Sequence, residues 1–262
     1  MPLKSINPAT GKVIAEYNED SEEKIQQVLE AAAAAYEPWR RKSFKERSIY
    51  LNAIAIQLEQ SIDELAKLMT DEMGKPITQS EAEVEKCAWV CRYYADNAAD
   101  FLADEHIKTD ASKSYVHYEP LGCIFSIMPW NFPLWQVFRG LAPALMAGNT
   151  MVLKHASNVS GCAVAIEEIC LKAGLPTGVF QNILCGVPRI KGIIQHPNVA
   201  AVTLTGSTPA GKAVASQAGE CIKKVVLELG GSDPYLILED ADLESAAKSC
   251  AQSRMINGGQ SC

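Results

Sequence analysis

The feature that most constrains the fold of this chain is the alternation of short apolar runs with helical stretches from Gly122 onward. The apolar runs cover residues 123–127, 151–153, 179–184, 200–204 and 225–227. The helical stretches between them cover about residues 134–146, 159–173 and 208–218. Repeated strand–helix–strand units predict an α/β fold, in which a mainly parallel sheet carries helices on both faces.

The first hundred residues predict an N-terminal helical segment and no strands. Asp20 and Glu23 have the spacing of a capping box, and Ser61 and Glu64 repeat that spacing. The first pair predicts the start of one helix. Further helices are predicted over residues 44–60, 62–74 and 76–102.

Two segments depart from this pattern. Between residues 104 and 119, two short β-prone runs flank a polar turn, which predicts a hairpin arm protruding from the main core. After Gly230 and Gly231, a further strand is predicted over residues 235–238, and a helix is predicted to begin near Asp242.

Charge and composition exclude several classes of function. The chain has 24 Lys and Arg against 31 Asp and Glu, a net charge of −7 without a basic cluster. We therefore expect no nucleic-acid partner and no membrane partner. No stretch reaches the ~18 apolar residues of a membrane span, and the N-terminus has no apolar signal core. We expect a cytoplasmic protein.

The cysteines and histidines lack the spacing of a metal site. Nine scattered cysteines fit buried thiols in a reducing compartment better than a disulfide framework. Cys87 and Cys91 share one helix face, where packing in the core is favoured over metal ligation. The four histidines are isolated, so we predict no metal site.

Polar residues follow several of the predicted strands, where ligands of open α/β sheets bind. The first loop holds Asn131 between two prolines, the second begins with Lys154, and another presents Gly206 and Ser207 at the start of a helix. Glu228 follows the last apolar run. Partial burial there would raise the pKa of its carboxyl toward the range of a general base.

Each of these residues alone also has an ordinary explanation. Asn131 can satisfy its own turn, Ser157 or Asn158 can cap a helix, and Glu228 can form a salt bridge. Cys262 follows two nearby glycines and could act as a nucleophile, yet an isolated cysteine is more often an ordinary free thiol.

Four segments together resemble the aldehyde dehydrogenase superfamily along essentially the whole chain. In chain order they are Pro129-Trp130-Asn131-Phe132-Pro133, Thr205-Gly206-Ser207, Glu228-Leu229-Gly230-Gly231 and Gly259-Gln260-Ser261-Cys262. The resemblance implies a Rossmann-like dinucleotide-binding domain and oxidation of an aldehyde to a carboxylate with NAD or NADP. Within the superfamily, the chain is most similar to succinate-semialdehyde dehydrogenases of bacteria.

The resemblance implies a role for each of four residues. Cys262 matches the nucleophile that forms a thiohemiacetal, and Asn131 matches the donor that stabilises its oxyanion. Glu228 matches the base that activates water to hydrolyse the thioester. Arg139 matches a substrate-binding position, where succinate-semialdehyde dehydrogenases carry an arginine facing the substrate carboxylate. The alternative for Arg139 is a surface residue on a solvated helix face.

The resemblance also implies a set of cofactor contacts. By position they are Trp130, Asn131, Lys154, His155, Ala156, Ser157, Gly206, Ser207 and Leu229. Members that prefer NAD often carry glutamate where Ser157 stands, and a carboxylate there repels a 2′-phosphate. Because Ser157 removes that repulsion and Lys154 adds positive charge, we predict that NADP is accepted. His155 stands where the superfamily usually carries proline.

The resemblance divides the chain into three parts. Residues 1–103 and 120–231 form the dinucleotide-binding domain, residues 104–119 form an oligomerisation hairpin, and residues 232–262 begin a second α/β catalytic domain. We expect the protein to form a homodimer or homotetramer. We also expect it to bind a small-molecule aldehyde. Because chains of this superfamily continue well past the nucleophile, we expect these 262 residues to belong to a longer chain and to be inactive alone.

Three alternatives stay open from the sequence. The chain could act on another class of aldehyde, bind a cofactor without turnover, or act as a thiol esterase. An esterase needs Cys262 and an oxyanion donor but no dinucleotide. Formation of reduced cofactor that depends on Cys262 separates an aldehyde dehydrogenase from the cofactor-binding protein and from the thiol esterase.

Overall fold

A five-stranded parallel sheet lies at the centre of the structure, a computed structural model that describes residues 2–261. Its strands are β5 (Cys123–Met128), β6 (Thr150–His155), β7 (Phe180–Asn182), β8 (Val199–Gly206) and β9 (Lys224–Leu229). They are ordered β7-β6-β5-β8-β9, and every pairing is parallel. The predicted α/β fold is confirmed.

The predicted helices are also present, with one addition. They are α1 (Glu22–Arg40), α2 (Phe44–Gln60), α3 (Ile62–Met73), α4 (Ile77–Phe101), α5 (Trp135–Met146), α6 (Ser160–Lys172), α7 (Ile190–Gln195), α8 (Thr208–Glu220) and α9 (Leu243–Met255). The short helix α7 was not predicted. Short 3-10 turns cover Ser157–Val159, Val187–Arg189 and Ile256–Gly259.

The helices cover both faces of the sheet, because successive side chains of a strand point to opposite sides. Phe125 and Ile127 of β5 pack in a core shared with α1, α7 and α8. Met128, on the opposite face of β5, packs in a second core with α2, α4, α5 and α6. Cys87 and Cys91 of α4 are buried in that second core, which confirms the packing role predicted for them.

Side-chain caps begin α1 and α2 but not α3, where Ser61 makes no side-chain cap hydrogen bond, so the capping box predicted from Ser61 and Glu64 is wrong. Ser43 and Glu46 form a capping box at the start of α2, and α3 ends at Gly74, whose φ of 77° is in the left-handed region. The predicted cap at Asp20 is wrong. Ser21 caps α1 instead, and the Asp20 carboxylate accepts a hydrogen bond from the Leu184 N–H at 2.7 Å.

Two N-terminal strands contradict the prediction of helices alone. Strands β1 (Leu3–Ile6) and β2 (Val13–Tyr17) form an antiparallel hairpin. Ser5 is buried beneath it, and its hydroxyl bonds the carboxylate of Glu72 in α3. Glu72 also accepts hydrogen bonds from the N–H groups of Gly161 and Cys162, both at 2.9 Å, where α6 begins.

The predicted arm is a short hairpin of β3 (Glu105–His106) and β4 (Tyr115–Val116), and its residues are almost all exposed. The strand predicted over residues 235–238 is wrong. These residues form no strand in the described chain, and their four side chains are exposed. β-Propensity does not make a strand unless a neighbouring strand accepts its backbone hydrogen bonds. Helix α9, capped by Asp242, follows as predicted. Within residues 2–261, no helix has both the length and the apolar character needed to cross a bilayer.

Candidate active site

A cavity of about 510 Å³ opens at the carboxyl ends of β5 and β8. The chain passes from the β7 edge of the sheet to the opposite side of β5 before forming β8, so this is where the strand order reverses. Ligands of open α/β sheets bind at such a reversal. The lining residues come from the loop after β5, the end of β8 and the residue after it, the loop after β9, α9 and the segment before Cys262. They are Pro129, Trp130, Asn131, Thr205, Gly206, Ser207, Gly230, Arg254, Gly259, Gln260 and Ser261.

Asn131 joins the loop after β5, residues 129–133, to the last described segment. Its Nδ2 donates to the Gln260 carbonyl at 2.7 Å. In return, the Nδ2 of Asn257 donates to the Asn131 carbonyl at 2.6 Å. The amide predicted to stabilise an oxyanion is therefore adjacent to a residue two positions before Cys262. Cys262 itself lies outside the described residues, and its nucleophilic role stays a prediction.

Asn257 is a site residue that the sequence reasoning missed. It is 2% exposed and has a φ of 57°, and its N–H donates to Oε1 of Gln79 in α4 at 2.7 Å. Asparagine tolerates the left-handed region better than most residues. Its position before Gly258 and Gly259 was the available signal.

His155 supports the same loop from β6. Burial lowers the pKa of its imidazole to about 4, so the ring is neutral near pH 7. In that state Nδ1 accepts from the Ala156 N–H at 2.9 Å, and Nε2 donates to the Pro133 carbonyl at 2.8 Å. The imidazole predicted as a cofactor contact thus forms its hydrogen bonds within the protein.

Lys154 and Ser157 flank the carboxyl end of β6. The Lys154 side chain is largely buried, and burial lowers the pKa of its ammonium. Ser157 is exposed and opens a 3-10 turn, and Ala156 between them is half-buried. A cation and a hydroxyl at one strand end suit an anionic, hydroxyl-bearing ligand.

The residues after β8 also fit a phosphate-bearing group. Gly206 and Ser207 line the cavity, and Ser207 caps the thirteen-residue helix α8, whose N-terminal end carries a partial positive charge. A Cβ on Gly211 would lie 2.5 Å from Cδ2 of Leu229, so glycine is what allows α8 to pack closely on β9. Close packing here places the helix terminus beside the strand end that carries Leu229, another predicted contact.

Glu228 is not buried as expected. Its side chain is 58% exposed, because Val225, Leu227 and Leu229 face inward and the intervening residue must point outward. Its Oε2 lies 3.6 Å from Nη1 of Arg139, and Nη2 of Arg139 donates to Oγ1 of Thr205 at 2.9 Å. Arg139, predicted to contact the substrate, therefore also contacts the predicted base.

The sequence profile of the aldehyde dehydrogenase family matches residues 1–262. The chain belongs to the aldehyde dehydrogenase family. Among its relatives is a probable succinate-semialdehyde dehydrogenase, NADP(+), of Synechocystis sp., 52% identical over 262 residues. Another is succinate-semialdehyde dehydrogenase, NADP(+), 1 of Mycobacterium ulcerans, 46% identical over 266 residues. Each alignment covers all of this chain and 58% of the relative, so the chain spans somewhat more than half the length of these aldehyde dehydrogenases.

Solved aldehyde dehydrogenases share the fold. Succinic semialdehyde dehydrogenase from Streptococcus pyogenes, in complex with NADP+, superposes with a TM-score of 0.96 and 37% identity, covering 99% of this chain and 57% of that one. Succinate-semialdehyde dehydrogenase from Burkholderia pseudomallei superposes with a TM-score of 0.95 and 31% identity, covering 100% and 55%.

Proposed function

We propose that the protein carrying this chain oxidises succinate semialdehyde to the carboxylate with NADP+. The observation that most supports this is the hydrogen bond from Asn131 to Gln260, because it joins an amide donor to the segment that leads to Cys262. The relatives from Synechocystis sp. and Mycobacterium ulcerans are named for this substrate and this cofactor, and the Streptococcus pyogenes enzyme was crystallised with NADP+.

The first chemical step is addition of the Cys262 thiolate to the aldehyde carbon. The C–S bond forms, and the carbonyl electron pair moves onto the oxygen. The Nδ2 of Asn131 carries two protons, so one can stay on the Gln260 carbonyl while the other donates to this oxyanion. A donor already held in the cavity stabilises the developing charge without large reorganisation.

Lys154, Ser157, Gly206 and Ser207 would hold a nicotinamide dinucleotide, which when bound would supply the acceptor for the hydride that the Cys262 adduct loses on becoming a thioester. Glu228 takes a proton from water as the water oxygen attacks the thioester carbon. The C–S bond then breaks and returns the Cys262 thiolate, and the carboxylic acid loses its proton. Because the Glu228 carboxylate is exposed, a water molecule has room to lie beside it.

Lys154 and Ser157 support NADP+ as the cofactor. The Lys154 ammonium attracts a 2′-phosphate, and Ser157 offers a hydroxyl where a carboxylate would repel it. In Ser157→Glu we expect kcat/KM for NADP+ to fall at least about tenfold, or 1.4 kcal/mol, while the value for NAD+ falls less. A wild-type preference for NAD+ above about a hundredfold would count against NADP+.

Arg139 is the proposed contact of the substrate carboxylate. Comparing succinate semialdehyde with hexanal, in wild type and Arg139→Ala, separates this role from support of Glu228. A carboxylate contact predicts a larger loss of kcat/KM on succinate semialdehyde than on hexanal. Equal losses on the two aldehydes would assign Arg139 to Glu228 alone.

The overall reaction is tested by absorbance at 340 nm in the full natural chain. We expect NADPH formation that requires succinate semialdehyde and is lost in Cys262→Ala. Ester hydrolysis without NADPH formation would support the thiol esterase instead. NADP+ binding without either activity would indicate a binding protein without turnover.

The domain organisation belongs to the same proposal. Residues 1–103 and 120–231 are the cofactor domain, and residues 232–262 begin the catalytic domain. The exposed arm, residues 104–119, carries apolar side chains at Ile107, Tyr115 and Val116, which suits contact with a second copy of the chain. Deleting residues 107–114 is expected to reduce the mass measured by light scattering, and an unchanged mass would argue against this role.

A further inference from the structure

A buried carboxylate holds the first turn of α5, immediately after the loop of residues 129–133. Glu83 of α4 is 4% exposed, and its Oε1 accepts from the N–H groups of Leu134 and Trp135 at 2.9 and 2.8 Å. Its second oxygen is bonded by the equally buried Lys75 ammonium. The same ammonium lies 4.0 Å from the ring centroid of Phe132.

The loop that carries Asn131 is consequently fixed at its end from two sides. His155 of β6 donates to the Pro133 carbonyl, and Glu83 accepts from the next two backbone N–H groups. Hydrogen bonds to a carboxylate are shorter and stronger than neutral ones, and burial in a low-dielectric interior strengthens them further. These bonds hold the backbone that follows Asn131, and the position of that backbone sets the direction of the Asn131 side chain.

Stability alone does not account for the Lys75–Glu83 pair. Removing two charges from water costs several kcal/mol per ion, and apolar replacements of buried pairs are often neutral or stabilising. What an apolar pair cannot supply is an acceptor for the Leu134 and Trp135 N–H groups. The feature that needs Glu83 is thus the geometry of this turn.

We propose that Glu83 is a positioning residue for the reaction, which acts by holding the loop of Asn131 so that the Nδ2 of that residue faces the oxyanion. This inference rests on the proposed function, in which Asn131 is the donor. Glu83 is not among the residues that line the cavity of Asn131. Its effect on turnover would therefore pass through Asn131.

Glu72 provides a matched control within the same chain. It is also a buried carboxylate that accepts two backbone N–H bonds at the start of a helix, those of Gly161 and Cys162 in α6. Helix α6 does not carry the Asn131 loop. A change at Glu72 therefore removes a buried carboxylate acceptor from the start of α6 and leaves the one beside the Asn131 loop in place.

The test compares two double variants of the full natural chain, Lys75→Met/Glu83→Gln and Lys75→Met/Glu83→Leu. Both remove the buried charges, but only the glutamine keeps an acceptor for the two N–H groups. We expect kcat at saturating NADP+ to stay within about threefold of wild type for the glutamine variant. For the leucine variant we expect it to fall about tenfold to a hundredfold, the scale of a misplacement near 1 Å.

Repeating both double variants in an Asn131→Ala background supplies the decisive readout. If Glu83 acts through Asn131, the glutamine and leucine variants have equal kcat there. Glu72→Gln and Glu72→Leu are expected to differ in thermal midpoint but not in kcat. Equal kcat of the two double variants beside an intact Asn131, or an undiminished difference in the Asn131→Ala background, would overturn the inference.

A failure of the proposed function gives a different result. Wild type would then form no NADPH with succinate semialdehyde, which overturns both the function and the positioning role built on it. An active wild type with additive Glu83 and Asn131 effects overturns the positioning role alone. If the leucine variant fails to fold, Lys75→Met/Glu83→Met takes its place in the two Asn131 backgrounds, because methionine is close to glutamine in shape but offers no oxygen acceptor to the two N–H groups.

Discussion

Asn131 and Glu228, the two proposed catalytic residues that the structure describes, differ in how firmly they are held. Asn131 lies in a loop that two buried side chains support, and its own amide is hydrogen-bonded. Glu228 projects from an edge strand with 58% of its side chain exposed, and its described ion pair is a 3.6 Å contact with Arg139. The proposed oxyanion donor is pre-organised, whereas the proposed base is largely exposed and makes only a long contact with Arg139.

This difference matches the order of the proposed chemistry. A donor stabilises a developing charge best when it requires no reorganisation at that moment. A base that acts later, on a water molecule, needs access to solvent and room for the water. The firmly held Asn131 would then serve the first step, and the exposed Glu228 would serve the last.

The largest effect is expected from a change at Asn131, the firmly held residue. Asn131→Ala removes one oxyanion donor, so we expect kcat to fall by about a hundred- to a thousandfold. Asn198→Ala is the control, because Asn198 also donates to a backbone carbonyl, that of Leu29, but away from the cavity. A loss of less than about fivefold in Asn131→Ala would contradict the donor role.

The next effect concerns pH and the buried His155. The folded protein protonates this imidazole only near pH 4, whereas the unfolded chain does so near its ordinary value of 6.5. As the pH falls from 6.5 to 4, the unfolded state therefore binds more protons, and the free energy of unfolding falls by up to about 3 kcal/mol. Urea unfolding between pH 7 and pH 5 should show a smaller pH dependence in His155→Gln than in wild type.

His117 in the arm gives the opposite sign. A hydrogen bond to Asp104 raises the pKa of His117, so any stability it contributes is present at low pH and is lost as the pH rises. His117→Gln is therefore the control for His155→Gln. If both variants change the pH dependence in the same direction, the assignment to His155 fails.

A smaller effect is expected where α8 packs on β9. In Gly211→Ala the new methyl meets the end of the Leu229 side chain, which must move, at a cost of about 1 kcal/mol in the free energy of unfolding. Because Leu229 is a proposed cofactor contact, NADP+ affinity should fall as well. Gly219→Ala, in the same helix but facing open space, should be neutral or slightly stabilising. Titration calorimetry and thermal unfolding measure both quantities.

The smallest effect is expected at Glu228, the exposed residue. The contact between Arg139 and Glu228 is long and partly exposed, so a double-mutant cycle of Arg139→Gln and Glu228→Gln should give a coupling of less than about 1 kcal/mol in stability. A coupling free energy above about 2 kcal/mol would mean that Glu228 is as firmly held as Asn131, and the contrast between these two residues would disappear.

Local signals predicted much of the fold. The three central strands, β6, β5 and β8, are largely buried apolar runs, and Gly74 ends α3 because glycine adopts the left-handed region without strain. The hairpin β1–β2 was missed because its stability comes from distant partners, including the Ser5–Glu72 hydrogen bond. The strand predicted over residues 235–238 failed for the same reason, since pairing is not encoded in propensity.

The candidate site was predictable in its residue types but not in its contacts. The loops that line the cavity follow the strand ends, which sequence periodicity locates. The expected burial of Glu228 was wrong, although the inward Leu227 and Leu229 on either side already required it to point outward. The links from Asn131 to Gln260 and Asn257 span more than 120 positions, and no local pattern predicts such a contact.

Asn257 has a consequence for how the cavity moves. The side chain of Asn257 donates a hydrogen bond to the Asn131 carbonyl, and its backbone N–H donates to the side chain of Gln79 in α4. We therefore expect a shift of the final segment to move the Asn131 loop in the same direction. Such coupling would keep the separation between the oxyanion donor and the chain leading to Cys262 more constant than the position of either.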